Sequence, residues 1–163
     1  MAQVDAFLQL DGIKGESQDK AFPDAIEILN WSWGMTNSAA GFAYMSLSAQ
    51  ARATKPKVRD IRLTKRADKS SPALAEALLH SREIKSATLT MRKAGGGGQA
   101  MKYYTLTLGR VFVSSFEQRG HQNGELEDEL TINFAKFEMD YIPQLETGGP
   151  GGGITFIYEM GPS

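Results

Sequence analysis

Cysteine is absent from this 163-residue chain, and histidine occurs only twice, as His80 and His121. The absence of thiols excludes disulfides, iron–sulfur clusters and thiolate zinc sites. No apolar run approaches the ~20 residues of a membrane span. The first residues also lack the basic and apolar regions of a secretory signal. We therefore expect a protein that is made in the cytoplasm, has no membrane anchor, and leaves the cell, if at all, without a signal peptide.

The chain also has no large excess of charge of either sign. It contains 18 Lys and Arg and 19 Asp and Glu, which gives a net charge of -1. This balance argues against a nucleic-acid or anionic-membrane binder and weakens repulsion between copies. A basic stretch lies at 52–69 and an acidic cluster at 125–129. If they lay at opposite ends of one subunit, copies would stack head to tail by charge complementarity. The alternative is two unrelated solvated faces.

Alternating apolar and polar residues predict a mainly β protein. One segment, 73–82, instead predicts a short helix, with Ser71 as its N-cap and Pro72 at its first position. A change of alternation after Phe134 predicts a β-bulge. This content predicts a single domain over 1–163, a compact β-barrel of two packed antiparallel sheets with one short α-helix. The predicted strands are 4–10, 26–34, 57–65, 86–92, 103–108 with 111–116 (one strand, or two that are broken near Gly109), 130–141 and 154–160.

The strand predicted at 26–34 carries two tryptophans. Its odd-numbered residues Leu29, Trp31 and Trp33 share one face, and its even-numbered residues, Asn30 and Ser32 among them, share the other. Two large aromatic side chains on one face predict that this face packs in the core.

Motifs for catalysis or metal binding are not found in the sequence. His80 and His121 have no accompanying nucleophile or ligand motif. The glycines at 95–98 lack the Lys-Ser/Thr pair of a phosphate loop, and the acidic cluster lacks the glycine spacing of a calcium loop. We therefore expect a protein that is not an enzyme and has no cofactor or metal. An enzyme with an unusual site around His121 or the acidic cluster is a rival interpretation.

Six groups of residues follow one another along most of the chain. They are DAFLQLDGIKGES at 5–17, WSWG at 31–34, TK and DKSSP between 64 and 72, LTMRKAGG at 89–96, VSS at 113–115, and LTINFAKFEMDY at 130–141. Each is short, but in this order they resemble the haemolysin-coregulated protein (Hcp) family of bacterial type VI secretion systems.

The resemblance implies a structural protein. Members of that family form six-membered rings that stack into a tube, which works with a contractile sheath and spike proteins. The resemblance also implies that effectors are carried in the lumen and that the protein itself is exported. A phage-type tail-tube protein and a monomeric barrel that binds a small ligand are the alternatives.

Two sets of candidate site residues follow from the resemblance. In the family, an extended loop after the second strand reaches the adjacent subunit, and here residues 36–55 hold that place. Exposed apolar side chains there would suit a docking surface, and the alternative is a strand pair packed on its own barrel. Small, polar and uncharged side chains suit a lumen wall that touches varied cargo, with an ordinary outer face as the alternative. The interface candidates are Phe42, Tyr44, Met45 and Leu47, and the lumen candidates are Asn30 and Ser32.

Overall fold

The computed structural model describes residues 4–37, 48, 56–94 and 100–160. Its elements follow the alternation of the sequence closely. In chain order they are β1 (Val4–Leu10), β2 (Ile26–Glu27), β3 (Asn30–Ser32), β4 (Met35–Asn37), β5 (Pro56–Val58), β6 (Ile61–Arg66), α1 (Ser70–Leu79), β7 (Ile84–Ala94), β8 (Ala100–Gly120), β9 (Leu126–Tyr141) and β10 (Ile154–Glu159).

Eight of these strands form one antiparallel sheet. Its order is β2-β1-β7-β8-β9-β6-β3, and β10 pairs with β9 outside this path. Strand β9 pairs with β6 up to Ile132 and with β10 from Lys136 onward, so it has two successive neighbours on one side. The short strands β4 and β5 pair only with each other in a second sheet.

The long sheet curls into a barrel of two packed layers. The front layer contains β3, β6, the second half of β8 and the first half of β9. The back layer contains β2, β1, β7, the remaining halves of β8 and β9, and β10. Residues 26–32 join the layers, because Ile28 N–H donates to Ala6 O at 3.0 Å and Leu29 N–H donates to Thr64 O at 2.8 Å. The predicted β-barrel of two packed antiparallel sheets is confirmed.

The inward side chains of both layers form one contiguous apolar core. Burial of this surface is the main favourable contribution to folding. Helix α1 covers β8 with Leu74 and Ala77, which are both buried. The largest buried apolar side chains include Leu8, Ile26, Ile61, Leu63, Leu89, Leu106, Leu108, Leu130, Ile132 and Phe137.

The inward face of β9 changes parity after Phe134, as predicted. Phe134 and Phe137 are both buried although they are three residues apart. The β8–β9 pairing stays in register there, and the neighbour of β9 changes from β6 to β10 at the same point. The predicted bulge at this point is therefore wrong. The bulge lies at Ser114, where Ser114 and Ser115 both oppose Thr131.

The predicted strand at 26–34 is divided into β2 and β3. Ile26 and Ile28 are buried in the core, and Trp31 and Trp33 are partly buried against it. The tryptophans therefore face the core as predicted, but Leu29 is 43% exposed and does not join them. The inward parity changes between Ile28 and Trp31 because the chain leaves β1 for β6 at this point.

Segment boundaries differ from the prediction in one further place. The strand expected at 57–65 is divided into β5 and β6, because residues 59–60 turn from the small hairpin into the barrel. Of the two alternatives for 103–108 and 111–116, the structure has the single strand, β8, which continues through Arg110 at a φ of 54°.

Helix α1 begins at Ser70, two residues before Pro72, the predicted first position. The Asp68 carboxylate accepts the N–H of Ser70 at 2.9 Å, which is the role expected of Ser71. The Ser71 hydroxyl does accept the N–H of Asp68 at 3.1 Å, but it also faces Lys65 and Asp128 inside the barrel. A partner from β9, which is distant in sequence, thus decides the position of this serine.

Candidate assembly and lumen surfaces

A polar groove of about 400 Å³ runs over the outer surface of the front layer. Asn30 and Ser32 are exposed on β3, and Ser32 lines the groove. Because Trp31 and Trp33 pack against the core, alternation directs the two small polar side chains outward. The groove is lined by Ser32, Trp33, Arg59, Asp60, Arg62 and Thr131.

Hydrogen bonds hold the floor of the polar groove in place. Asp60 accepts from Ser114 Oγ at 2.6 Å and from Asn133 Nδ2 at 2.9 Å. The Thr131 hydroxyl lies 2.7 Å from Ser114 Oγ and 2.6 Å from Ser115 Oγ. These contacts join β8, β9 and the turn before β6. The bulge in β8 thus supplies two hydroxyl groups where a regular strand would supply one.

The charged side chains of the polar groove were missed by the sequence interpretation, which expected an uncharged wall. Arg59 N–H donates to Gly34 O at 2.9 Å. A Cβ atom at Gly34 would collide with Arg59 Nη2, so glycine leaves the space that the guanidinium fills. The glycine of the WSWG motif is the signal that could have indicated this close approach.

A buried ionic cluster lies beneath the front layer. Lys65 Nζ is 2.7 Å from Asp128 Oδ2 and 2.9 Å from Asp68 Oδ1, and the side chains of Lys65 and Asp128 are fully buried. Asp128 also accepts hydrogen bonds from Ser71 Oγ at 2.5 Å and Gln118 Nε2 at 2.9 Å. Burial raises the pKa of Asp128, but hydrogen bonds from Lys65, Ser71 and Gln118 outweigh burial and lower that pKa overall. The cluster ties α1 to β6, β8 and β9.

The basic stretch and the acidic cluster lie side by side, so the hypothesis that they occupy opposite ends of the subunit is wrong. Their strands β6 and β9 are neighbours. Lys65 pairs with Asp128, and Arg62 pairs with Glu129 at 3.4 Å. These charges are paired within one subunit rather than presented to another copy.

An arginine clamp fixes the segment after β1. Arg92 on β7 donates to Asp19 at 2.6 Å and to Asp5 at 3.0 Å, and its guanidinium lies over the rings of Phe7 and Phe22. The hydrogen bond from Arg92 lowers the pKa of Asp19 from its usual 3.8 to about 2. The clamp therefore holds Asp19 in its charged form at neutral pH.

The lowered pKa of Asp19 predicts an acid-dependent loss of stability. A carboxyl with a depressed pKa in the folded state stabilises the fold above its unfolded pKa. Its contribution is therefore lost as the pH falls from about 4 to about 2. We expect Asp19→Asn to flatten this part of the curve of unfolding free energy against pH, measured by urea titration. Asp11→Asn, at an exposed position, is the control, and an equal flattening in both variants would contradict the assignment.

An apolar groove of about 290 Å³ lies between β10 and the β4–β5 hairpin. Three large side chains of β10 are more than half exposed, with Ile154 at 69%, Phe156 at 54% and Ile157 at 53%. Exposed apolar surface of this kind commonly marks an interaction site. The groove is lined by Met35, Thr36, Asn37, Pro56, Lys57, Val58, Phe137, Phe156 and Tyr158.

The interface candidates Phe42, Tyr44, Met45 and Leu47 lie outside the described residues. The loop 36–55 begins within β4, which ends at Asn37. Strand β5 begins at Pro56, directly after the loop. These two strands pair through Met35 with Val58 and Asn37 with Pro56. The base of the loop thus borders the apolar groove.

The two histidines lie on separate elements. His80 follows α1, and His121, in the β8–β9 turn, lies 3.2 Å from Glu127. Within the described ranges, no three His, Cys, Asp or Glu side chains are grouped as metal ligands. No helix in the described part of the chain is long and apolar enough to span a membrane.

Comparison with known proteins identifies the family. The sequence model of the family described as "Type VI secretion system effector, Hcp" matches residues 7–141. The chain belongs to the Hcp family. It is thus a type VI secretion protein, and the family resemblance in its sequence is confirmed.

Several Hcp proteins are similar to this chain over most of its length. Protein hcp1 of Pseudomonas aeruginosa is 40% identical over 152 residues, which cover 92% of this chain and 90% of that protein. The crystal structure of Hcp1 from Salmonella typhimurium is 27% identical, with a TM-score of 0.75 and coverage of 98% and 95%. That of a type VI secretion system effector from Yersinia pestis is 26% identical, with a TM-score of 0.76 and coverage of 96% and 100%. This homology implies that the protein is secreted.

Proposed function

We propose that this Hcp protein is a structural subunit that assembles into hexameric rings, and that the rings stack into a tube. The observation that carries the proposal is the exposed apolar surface of β10 and its groove, which a soluble monomer would leave in contact with water. Membership of the Hcp family supports the same assembly. The number six rests on the family resemblance.

The rings are exported through the type VI apparatus, together with effectors held in the lumen. The polar groove is the proposed lumen wall, with Asn30 and Ser32 as contacts for cargo. Its hydroxyl groups are already fixed by hydrogen bonds, so cargo binding requires little ordering of the wall. A contractile sheath and spike proteins are the proposed further partners. Phe42, Tyr44, Met45 and Leu47 remain the proposed contacts between adjacent subunits.

A monomeric barrel that holds a small ligand fits the structure less well. The inward side chains of the two layers pack against each other as one core, whereas ligand barrels enclose a cavity. The larger grooves of the described residues lie on the outside of the barrel.

The lumen assignment predicts that Ser32→Gln retains the ring but holds less cargo. The longer side chain fills part of the polar groove next to Arg59 and Thr131, so that a bound protein loses contact with the wall. The measurement is the amount of effector recovered with the affinity-tagged protein, together with its mass in solution. We expect a several-fold decrease in recovered effector at unchanged mass.

The matched control is Thr107→Gln, a similar enlargement on a partly buried β8 residue of the back layer. We expect this variant to recover as much effector as the wild type. Equal recovery with Ser32→Gln and the wild type would remove Ser32 from the lumen wall.

A further inference from the structure

Strand β10 has one paired edge and one open edge. It pairs with β9 from Ile154 opposite Tyr141 to Glu159 opposite Lys136. Met160 N–H donates to Ala135 O at 2.8 Å, which sets the phase of the ladder. Because hydrogen-bonded pairs alternate in an antiparallel ladder, the main-chain groups of residues 154, 156 and 158 face β9. Those of Thr155, Ile157 and Glu159 point to the opposite edge, where no described residue pairs with them.

This open edge carries almost none of the features that protect natural edge strands. Such strands usually contain proline, lysine or a bulge, or they are very short. The sequence of β10 is ITFIYE, which has no proline, lysine or glycine, and its only charged residue is Glu159. Its pairing with β9 also runs without a register shift. An apolar edge of six residues is a template for another strand.

We propose that the open edge of β10 pairs with a strand from a second copy of this chain, so that the sheet continues from one subunit into the next. This inference rests on the proposed ring, for which it supplies the contact. Thr155, Ile157 and Glu159 provide the main-chain hydrogen bonds. Side chains of the incoming strand enter the apolar groove beside Phe156 and Tyr158 on one face and pack on Ile157 on the other. In a closed ring the partner strand is a different edge of the neighbour, since the contact is head to tail.

Two observations favour a second copy over cargo as the occupant. β10 is in the back layer, whereas the polar groove proposed for cargo lies on the outer surface of the front layer. The chain carries a net charge of -1, and among the described residues that line the apolar groove Lys57 is the one charged side chain, so that copies meet here without strong repulsion.

The test removes the central one of the three main-chain donors at the open edge. Ile157→Pro removes an N–H that points to the open edge and leaves the bonds to β9 intact. Ile157→Ala is the matched control, because it shortens the same side chain but keeps the N–H. The measurement is the absolute mass by light scattering after size exclusion, with circular dichroism as the check of folding. We expect Ile157→Pro to be a folded monomer at concentrations where the wild type and Ile157→Ala are assembled.

Hydrogen exchange of the wild type gives a second readout that does not depend on how the variant folds. Pairing with β9 alone protects the three amides of residues 154, 156 and 158, and a second strand protects three more. Mass spectrometry of a β10 peptide from the assembled protein should therefore show six slow amides rather than three. Three slow amides, or a folded Ile157→Pro that assembles like the wild type, would overturn the inference and leave the ring proposal standing. A wild type that stays monomeric would instead overturn the ring proposal itself.

Discussion

Replacement of Lys65 by Met is expected to lower the free energy of unfolding by about 3–5 kcal/mol, the typical cost of removing one partner of a buried ion pair. Lys65 and Asp128 are both fully buried and lie 2.7 Å apart. Without the ammonium, Asp128 loses its strongest partner and must either remain charged in the core or bind a proton. The measurement is the urea midpoint at neutral pH, with the slope of the transition checked for constancy.

Arg62→Met is the matched control for this prediction. Arg62 lies on the same strand and pairs with Glu129 at 3.4 Å, but it is largely exposed. Because exposed ion pairs contribute little, we expect a change of less than about 1 kcal/mol. In the double variant Lys65→Met with Asp128→Leu, part of the lost stability should return, since no unpaired charge remains buried. Equal urea midpoints for Lys65→Met and Arg62→Met would contradict a structural role for the buried cluster.

Replacement of Phe137 by Ala is expected to cost about 3–5 kcal/mol of unfolding free energy, as for other large-to-small changes in a packed core. Phe137 is 1% exposed, and its ring lies 5.0 Å from that of Trp33 and 5.7 Å from that of Phe156. It supports β10 from beneath and forms part of the apolar groove. The change should therefore weaken assembly as well as stability.

Phe156→Ala separates the two effects of the Phe137 change. Its side chain is 54% exposed, so we expect a loss of only about 1 kcal/mol from the folded subunit. The measurements are the urea midpoint and the concentration at which the oligomer dissociates. A Phe137→Ala variant with the stability of the wild type would show that the aromatic cluster is not a packed part of the core.

Much of the barrel could be predicted from alternation alone. The strand segments were located because each half-buried strand repeats its apolar residues with a period of two. Parity within a segment was less predictable. Leu29 is exposed beside Trp31 because the segment 26–32 changes its pairing partner from β1 to β6. That change depends on contacts with distant strands, which have no local signal in the sequence. The bulge at Ser114, rather than after Phe134, is likewise set by the pairing of β8 with β9, which has no local signal.

The candidate surfaces were predicted only in part. Asn30 and Ser32 are exposed because the tryptophans beside them pack inward, which the local pattern indicated. Asp60, Ser114 and Thr131 meet in the polar groove from three separate segments, and single-sequence patterns cannot place them together. The strand predicted at 154–160 corresponds to β10. Its open edge follows from the sheet order, which alternation does not determine.

The absolute mass of the purified protein is the most direct test of whether the subunit assembles into a ring. Light scattering after size exclusion, with negative-stain images of the same peak, should give six times 17.8 kDa and rings with an open centre. A mass of 17.8 kDa over a wide range of concentration, with no rings in the images, would contradict the account.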